Sequence, residues 1–406
     1  MRVVVTGMGV VSPIGIGTDQ FWTAAVNGIS GIKRIESFDA SGQRSQVAGE
    51  VPSFNPSDFL SPKFLDQTDR FAQLALLASK LALEDAGGLD SYHSGRVAVS
   101  IGSGMGGFST FESSAIRKFR NQPIPPFTVP RTMANSAAAW VAIKHRFTGV
   151  NLTCSTACSS GANAIGMALD LLRSGRADAV VAGGAEACVL PLTMTSFEIL
   201  RALTIGFNAD PSCASCPFAK GRDGFVMSEG AGIFILEKEE NARQRGAKGY
   251  ACLAGFGQAC DAAHIVMPDM NGQVAAMRGA IADAGLEPED IDHINAHATS
   301  TPLGDIVETR AVKSLFGERA KNIPISATKS LIGHSIGASA AMSSVATIMA
   351  LHTGTVHPTI NLDEADPECD LDYTPNHAQQ KNPQAALCNA FGFGGNNASI
   401  LFTTLE

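Results

Sequence analysis

Charge is scarce in this chain. Asp, Glu, Lys and Arg make up 17% of its 406 residues, and the formal balance is −8. With no long basic run, the composition excludes a nucleic-acid-binding protein, which needs a cationic face. No apolar run approaches the roughly 20 residues that span a bilayer. Residues 1–6 enter a strand at once, leaving no n-region and h-region of an export signal, so a soluble, cytoplasmic protein is expected. The nine cysteines are scattered and odd in number, and reduced thiols are expected. Cys213-x-x-Cys216 has no second pair, so no metal site is read there. Gly7-Met-Gly9 lacks the third glycine of a dinucleotide fingerprint, and no Lys-Ser/Thr follows the glycines of 102–107, which excludes a P-loop.

What remains is 45% hydrophobic with 41 glycines, the profile of an α/β enzyme with buried strands and tight turns. Strand patterns at 2–6, 97–101, 179–182 and 231–237 alternate with helical periodicity at 66–86, 133–147 and 159–172. A Pro-rich excursion at 123–130 reads as a surface or interface arm. Near residue 250 the pattern restarts: strands at 250–257, 294–296, 324–327, 386–390 and 398–402, helices at 272–284, 302–316 and 335–351. Two related α/β halves follow, 1–249 and 250–406, each with a mixed, largely parallel sheet.

Cys158 lies between a short strand read at 152–156 and the helix that begins at Ser159. Free N–H groups and the positive dipole end of a helix N-terminus stabilise a thiolate there. Ala157, Ser159, Ser160 and Gly161 leave room for a substrate. Three other segments place reactive side chains where strands end or helices open: 295–305 with His297, Thr299 and Thr301; 328–337 with Lys329 and His334; and 389–397 with Phe391 and Phe393. Sites in open α/β sheets gather at the carboxyl ends of strands. His293 and His297 would lie roughly 13 Å apart on one strand, too far for a metal pair.

Together these segments resemble the β-ketoacyl-acyl-carrier-protein synthases. Thr156-Ala-Cys158-Ser-Ser-Gly, Asn295-Ala-His297-Ala-Thr-Ser-Thr, Lys329-Ser-Leu-Ile-Gly-His334 and Phe391-Gly-Phe393-Gly-Gly match four signatures of that family, in order along nearly the whole chain. Residues 4–13 and 222–232 match it as well. The resemblance is strongest to the elongating synthases and to type II polyketide ketosynthases. It implies a thiolase-like fold layered α-β-α-β-α. It further implies transacylation of an acyl chain to Cys158, then decarboxylative Claisen condensation with a malonyl carrier, giving a 3-ketoacyl product. Cys158, His297, His334 and Lys329 would be catalytic, with Lys329 holding His334. The backbone N–H groups of Cys158 and Phe393 would form the oxyanion hole. Thr299, Thr301, Phe391 and Phe393 would bind substrate, and Phe393 would act as a gate. No metal or organic cofactor is implied. The partners would be acyl carrier protein and a second subunit, in a homodimer or in a heterodimer with a chain-length-factor-like chain, through an apolar edge at 133–155.

The chain departs from the family pattern at Ala298 and Asn396, and at Ser343, where a glutamate of the lysine network is usual. The loop 204–207 lacks an arginine used to dock the carrier. These changes around an intact centre point to a specialised pathway with its own carrier. The alternatives are a thiolase acting on coenzyme A thioesters, which would need a second cysteine in the closing glycine-rich loop that Cys388 only precedes and whose residues 391–395 match the synthase form, and the catalytic half of a heterodimer.

Overall fold

In the computed structural model, residues 1–405 are described. The first half contributes strands β1 (Val3–Ser12), β2 (Val97–Gly102), β3 (Asn151–Leu152), β4 (Ala179–Ala187) and β5 (Glu229–Lys238). The second contributes β6 (Ala251–Cys260), β7 (His293–Asn295), β8 (Ile325–Ser326), β9 (Ala385–Gly392) and β10 (Asn396–Thr403). Their spatial order is β3-β2-β4-β5-β1 in one half and β8-β7-β9-β10-β6 in the other, the same arrangement twice. β1 and β6 run side by side, pairing Val4 with Cys252 and Val5 with Ala251, so one sheet path passes through both halves.

Parallel pairing is narrower than the sequence suggests. It covers β2 with β3 and β4, and β7 with β8 and β9. The longer ladders, β1 with β5, β4 with β5, β9 with β10 and β10 with β6, are antiparallel. For β9 with β10 the reason is connection length. Only three residues, Phe393–Gly395, separate β9 from β10, which allows a hairpin but no crossover. Strand-like residues before Cys158 likewise shrink to Asn151–Leu152, and the rest is turn.

Side chains alternate across each strand and so define the layers. In β2, Val97, Val99 and Ile101 face an outer core with helix α1 (Arg70–Asp85), whereas Ala98 faces inward. In β5, Ile233 and Ile235 point outward, and Phe234 and Leu236 inward. The inward faces of both halves close over helices α2 (Ser160–Arg173) and α5 (Ser339–Thr353). The outer face of the second half is covered by α3 (Met270–Asp283) and α4 (Pro302–Phe316). The result is a five-layer α-β-α-β-α stack. Residues Ile336–Thr353, apolar enough to resemble a membrane span, are 89% buried inside the protein and form the middle layer.

Close approach at the centre sets the position of the nucleophile. A Cβ on Gly102, at the end of β2, would lie 2.2 Å from the Ser160 carbonyl at the start of α2. A Cβ on Gly184 would lie 2.6 Å from Gly337 O, which belongs to the other half. Glycine at these positions lets β2 and β4 carry α2 and α5 at backbone contact.

Beneath β7 runs a buried polar chain. His293 Nδ1 pairs with Pro324 O at 2.9 Å, and Ser326 Oγ lies 3.3 Å from both His293 Nε2 and His357 Nε2. Thr328 Oγ1 continues it, 3.0 Å from His357 Nε2 and 2.8 Å from Asn295 Nδ2. Burial holds His293 and His357 down at about 4, well under the ordinary imidazole value. The unfolded chain therefore takes up protons near pH 6.5 that the folded chain refuses until about pH 4. Stability is fully present above that window and falls as pH drops through it. Urea melts between pH 7.5 and 4.5 should show the decline, and His357→Gln should make it shallower. An unchanged slope in the variant would rule out this origin.

Candidate active site

Cys158 sits at the middle of a three-residue turn, Ala157–Ser159, that leads straight into α2. Ala157 takes a left-handed φ of 52° to make the turn. Ser160 Oγ braces it, accepting from Thr156 N at 2.9 Å and donating to Ala157 O at 2.6 Å. Cys158 is 7% exposed and lines a cavity of about 530 Å³.

The second half supplies two imidazoles. His297 lies just past the end of β7, and His334 follows the short helix Lys329–Ile332. His334 Nε2 is 3.0 Å from Cys158 Sγ. The sulfur and a ring nitrogen from each histidine all lie within 4.8 Å of one another. The two rings stand edge to face, with centroids 5.5 Å apart. Ser339 Oγ, 2.8 Å from His334 Nδ1, fixes that ring and accepts from Ser335 N at 2.9 Å. The His297 segment is clamped by Glu308, which accepts from His297 N at 2.8 Å, Ala298 N at 2.7 Å and Asn389 Nδ2 at 3.1 Å. The clamp holds Ala298 at φ 35° and Ser300 at φ 68°. That backbone favours glycine, so the Ala298 substitution carries strain.

Electrostatics set the protonation states. Burial pushes the Cys158 thiol up to about 11, against the Lys329 charge and the N–H groups of Phe393 and Cys158 itself, which face the sulfur. The helix N-terminus therefore does not by itself yield a resting thiolate. Burial, reinforced by the Lys329 charge, drives His297 and His334 well below the ordinary imidazole value, so both are neutral. Lys329 is itself lowered by burial, and Glu308 raised by it. Glu186, lifted to about 7 by burial, accepts from Ser103 Oγ at 2.9 Å, Gly104 N at 2.7 Å and Gly337 N at 3.1 Å. It ties a loop of the first half to the turn that follows His334.

Thr299, Thr301, Phe391 and Phe393 all line the cavity, with the two threonine hydroxyls 3.1 Å apart. Phe393 opens the three-residue turn between β9 and β10. Asn396 Nδ2 donates to its carbonyl at 3.1 Å, and Gly394 N donates to Ile265 O at 2.7 Å. Lys329 differs from expectation. Among the described residues no hydrogen bond or ion pair holds its ammonium, which acts on Cys158 and both imidazoles only through space, while Ser339 does the work of orienting His334. Ser343 is buried with its hydroxyl unpaired, so the carboxylate beside Lys329 is Glu308, from α4. His293 belongs to the buried chain under β7. Cys388 contacts Ser344 and Ala340 in the inner core, outside the cavity, which removes the second cysteine of a thiolase. Cys216 accepts from Ser300 Oγ at 3.7 Å, and all nine cysteines are free.

Glu308, Asn389, Ser339 and Glu186 escaped the sequence reading. Each acts on a segment distant in the chain or on a backbone group, and only the charge of Glu186 and Glu308 at strand or helix positions hinted at them. Arg201 was also missed. It lines the cavity three residues before the loop where an arginine was sought.

Comparison with known proteins matches this geometry. Residues 1–242 fit the model for the beta-ketoacyl synthase N-terminal domain, and residues 250–363 fit that for the C-terminal domain. A 3-oxoacyl-[acyl-carrier-protein] synthase 2 from Synechocystis sp. is 44% identical over 406 residues, covering 99% of this chain and 97% of that protein. The solved ishigamide ketosynthase/chain length factor superposes with a TM-score of 0.94 at 34% identity, covering 100% of this chain and 99% of that one. The type II polyketide ketosynthase AntDE, solved with its acyl-carrier protein AntF, superposes with a TM-score of 0.92 at 36% identity, over 100% and 99% of the two chains. With both halves matched and the relatives aligned end to end, the chain belongs to the beta-ketoacyl synthase family.

Proposed function

We propose that this chain joins acyl units by a two-step condensation centred on Cys158, in fatty acid or polyketide synthesis. The observation that carries the reading is the sulfur 3.0 Å from His334 Nε2, faced by two backbone N–H groups. In the first step His334 Nε2 takes the thiol proton as the sulfur attacks an acyl thioester. The carbonyl oxygen collects the N–H groups of Cys158 and Phe393 as it gains charge. The proton then leaves with the departing pantetheine thiol. In the second step a malonyl thioester loses carbon dioxide, and the neutral imidazoles donate hydrogen bonds to the enolate oxygen. The carbanion attacks the acyl-Cys158 carbonyl, and the sulfur leaves as thiolate beside the Lys329 charge. The Ser339 hydroxyl both donates and accepts, so His334 Nε2 serves as acceptor in one step and donor in the next.

Thr299 and Thr301 are suited to hold the phosphopantetheine arm, and the scheme uses no metal or organic cofactor. A second subunit, identical or chain-length-factor-like, would cover the apolar side chains Phe111, Phe119, Val129 and Ile143. These are 53%, 89%, 70% and 57% exposed in the segments around edge strand β3.

Mixing the protein with an acyl carrier thioester and malonyl carrier should give the 3-ketoacyl product by mass spectrometry. Cys158→Ser should lower that rate at least about 10³-fold; a variant working at the parent's rate would end the proposal. The thiol's high pKa predicts that iodoacetamide alkylation of Cys158 keeps accelerating from pH 6 to 9. Lys329→Met, which removes the largest influence favouring the thiolate, should slow it at each pH. A plateau near pH 6 would show a preformed thiolate–imidazolium pair instead.

The strained Ala298 and the unpaired Ser343 favour a specialised pathway with its own carrier. Acylation of Cys158 should then be faster from that pathway's carrier than from the housekeeping one. Equal efficiency on the two carriers would count against specialisation.

A further inference from the structure

Arg222 is a buried cation that the reaction scheme leaves unused. Its side chain is 2% exposed, and its guanidinium reaches into the loop that carries Thr299 and Thr301. Nε donates to Thr301 O at 3.2 Å and Nη2 to Pro302 O at 2.8 Å, while Nη1 donates to Ala219 O at 2.7 Å and to Asp366 Oδ2 at 2.8 Å. Asp305 completes the group. Its Oδ2 lies 3.5 Å from Arg222 Nε and accepts from Phe218 N at 2.9 Å, and its Oδ1 accepts from Ser300 N at 3.2 Å. The backbone around Arg222 is tied to the second half as well: Lys220 N donates to Glu364 O at 2.9 Å, and Asp366 N to Phe218 O at 2.8 Å.

Helix stability does not account for this arrangement. Thr301 is the N-cap residue of α4, yet its hydroxyl makes no capping bond, forgoing the stabilisation a threonine ordinarily gives there. The hydroxyl lies instead 3.1 Å from that of Thr299, at the cavity wall. Arg222 brings positive charge to the first carbonyls of the same helix, where the macrodipole is already positive. Burying a guanidinium between two carboxylates also costs desolvation that the pairing barely offsets. What the group accomplishes is geometric. The planar fork fixes the carbonyls of Thr301 and Pro302, Asp305 fixes the Ser300 amide, and the threonine hydroxyls between them face the cavity with hydrogen-bonding capacity to spare.

We propose that Arg222, paired with Asp305 and Asp366, is a positioning residue for the pantetheine arm: it holds the Thr301 hydroxyl off its helix and toward an amide of the arm. Arg222 touches neither the substrate nor the reacting atoms. The inference rests on the reading above that Thr299 and Thr301 hold that arm. Each amide of the arm offers a carbonyl and an N–H, and a hydroxyl can meet either one. Lysine would be a poor substitute for Arg222, because an ammonium cannot serve two carbonyls and a carboxylate from one plane.

The test measures acylation of Cys158 by intact-protein mass spectrometry with two donors: hexanoyl-pantetheine, which carries the amides of the arm, and S-ethyl hexanethioate, which carries none. Arg222→Lys keeps the charge and loses the fork. It should raise the half-saturating concentration of hexanoyl-pantetheine about tenfold, the loss expected when one hydrogen bond is misaligned. Its saturated rate, its rate with S-ethyl hexanethioate and the iodoacetamide alkylation of Cys158 should each stay within about twofold of the parent. Thr301→Val should lose as much with hexanoyl-pantetheine, and the double variant no more than either alone, because both changes act on one hydroxyl. Asp366→Asn, which leaves Arg222 beside Asp305, should show the same pattern to a smaller degree and carries the test if Arg222→Lys does not fold. Equal losses with both donors, or slower alkylation, would make Arg222 a general support of the fold. Additive losses in the double variant would show that it does not act through Thr301. Either result overturns the proposal. Unchanged half-saturation in Thr301→Val would instead refute the arm-binding reading of the threonines, and failure of the parent to accept either acyl group would refute the condensing function.

Discussion

One contact organises the molecule: Cys158 Sγ against His334 Nε2, 3.0 Å apart in space and 176 positions apart in sequence. The sulfur rides on the start of α2 and the imidazole on the turn before α5, so the contact exists only if the two central helices pack at backbone distance. Glycines at 102, 161, 184 and 337 make that possible. A side chain at Gly161 would meet Gly337 O at 2.8 Å, and one at Gly337 would meet Gly104 N at 2.5 Å. The large inner core thus brings the two half-sites into direct contact.

The same packing sustains local strain. Ala157, Ala298, Ser300 and Ile336 all take left-handed φ values, 52°, 35°, 68° and 42°, and each flanks or follows a site residue. Such conformations cost of order 1–3 kcal/mol apiece. They persist because Ser160, Glu308 and Ser339 pin the neighbouring backbone or rings, and because Glu186 accepts hydrogen bonds from both halves. Burial also explains why the site holds a thiol and two uncharged imidazoles at rest, with charge concentrated on Lys329, whose ammonium influences all three from a distance.

Much of this was legible in the chain of letters. The helix at 302–316 was read to the residue. The break near 250, the turn-borne Cys158 and the three reactive segments were visible because turn chemistry and periodicity are local. The strand order was not. A three-residue connection at Phe393–Gly395 makes β10 antiparallel, and the hydrophobic run of β10 looks the same in either direction. Nor could the sequence show that Ser339 would take over the orienting role given to Lys329. Polar residues that act through backbone N–H groups, as Glu308 and Glu186 do, leave no periodic trace. The free energy of the sulfur was also misjudged, since a helix terminus is visible in a sequence and the depth of burial around it is not.

One of the two amides that face the sulfur belongs to Phe393, on a hairpin tip whose Gly394 and Gly395 have φ of 78° and 70°. The other amide is that of Cys158 itself, locked under α2. One half of the proposed anion receptor thus sits under a helix and the other on a turn that contains two glycines in left-handed conformation. Rotating that single tip would withdraw one of the two proposed amide donors without moving the sulfur or the imidazoles.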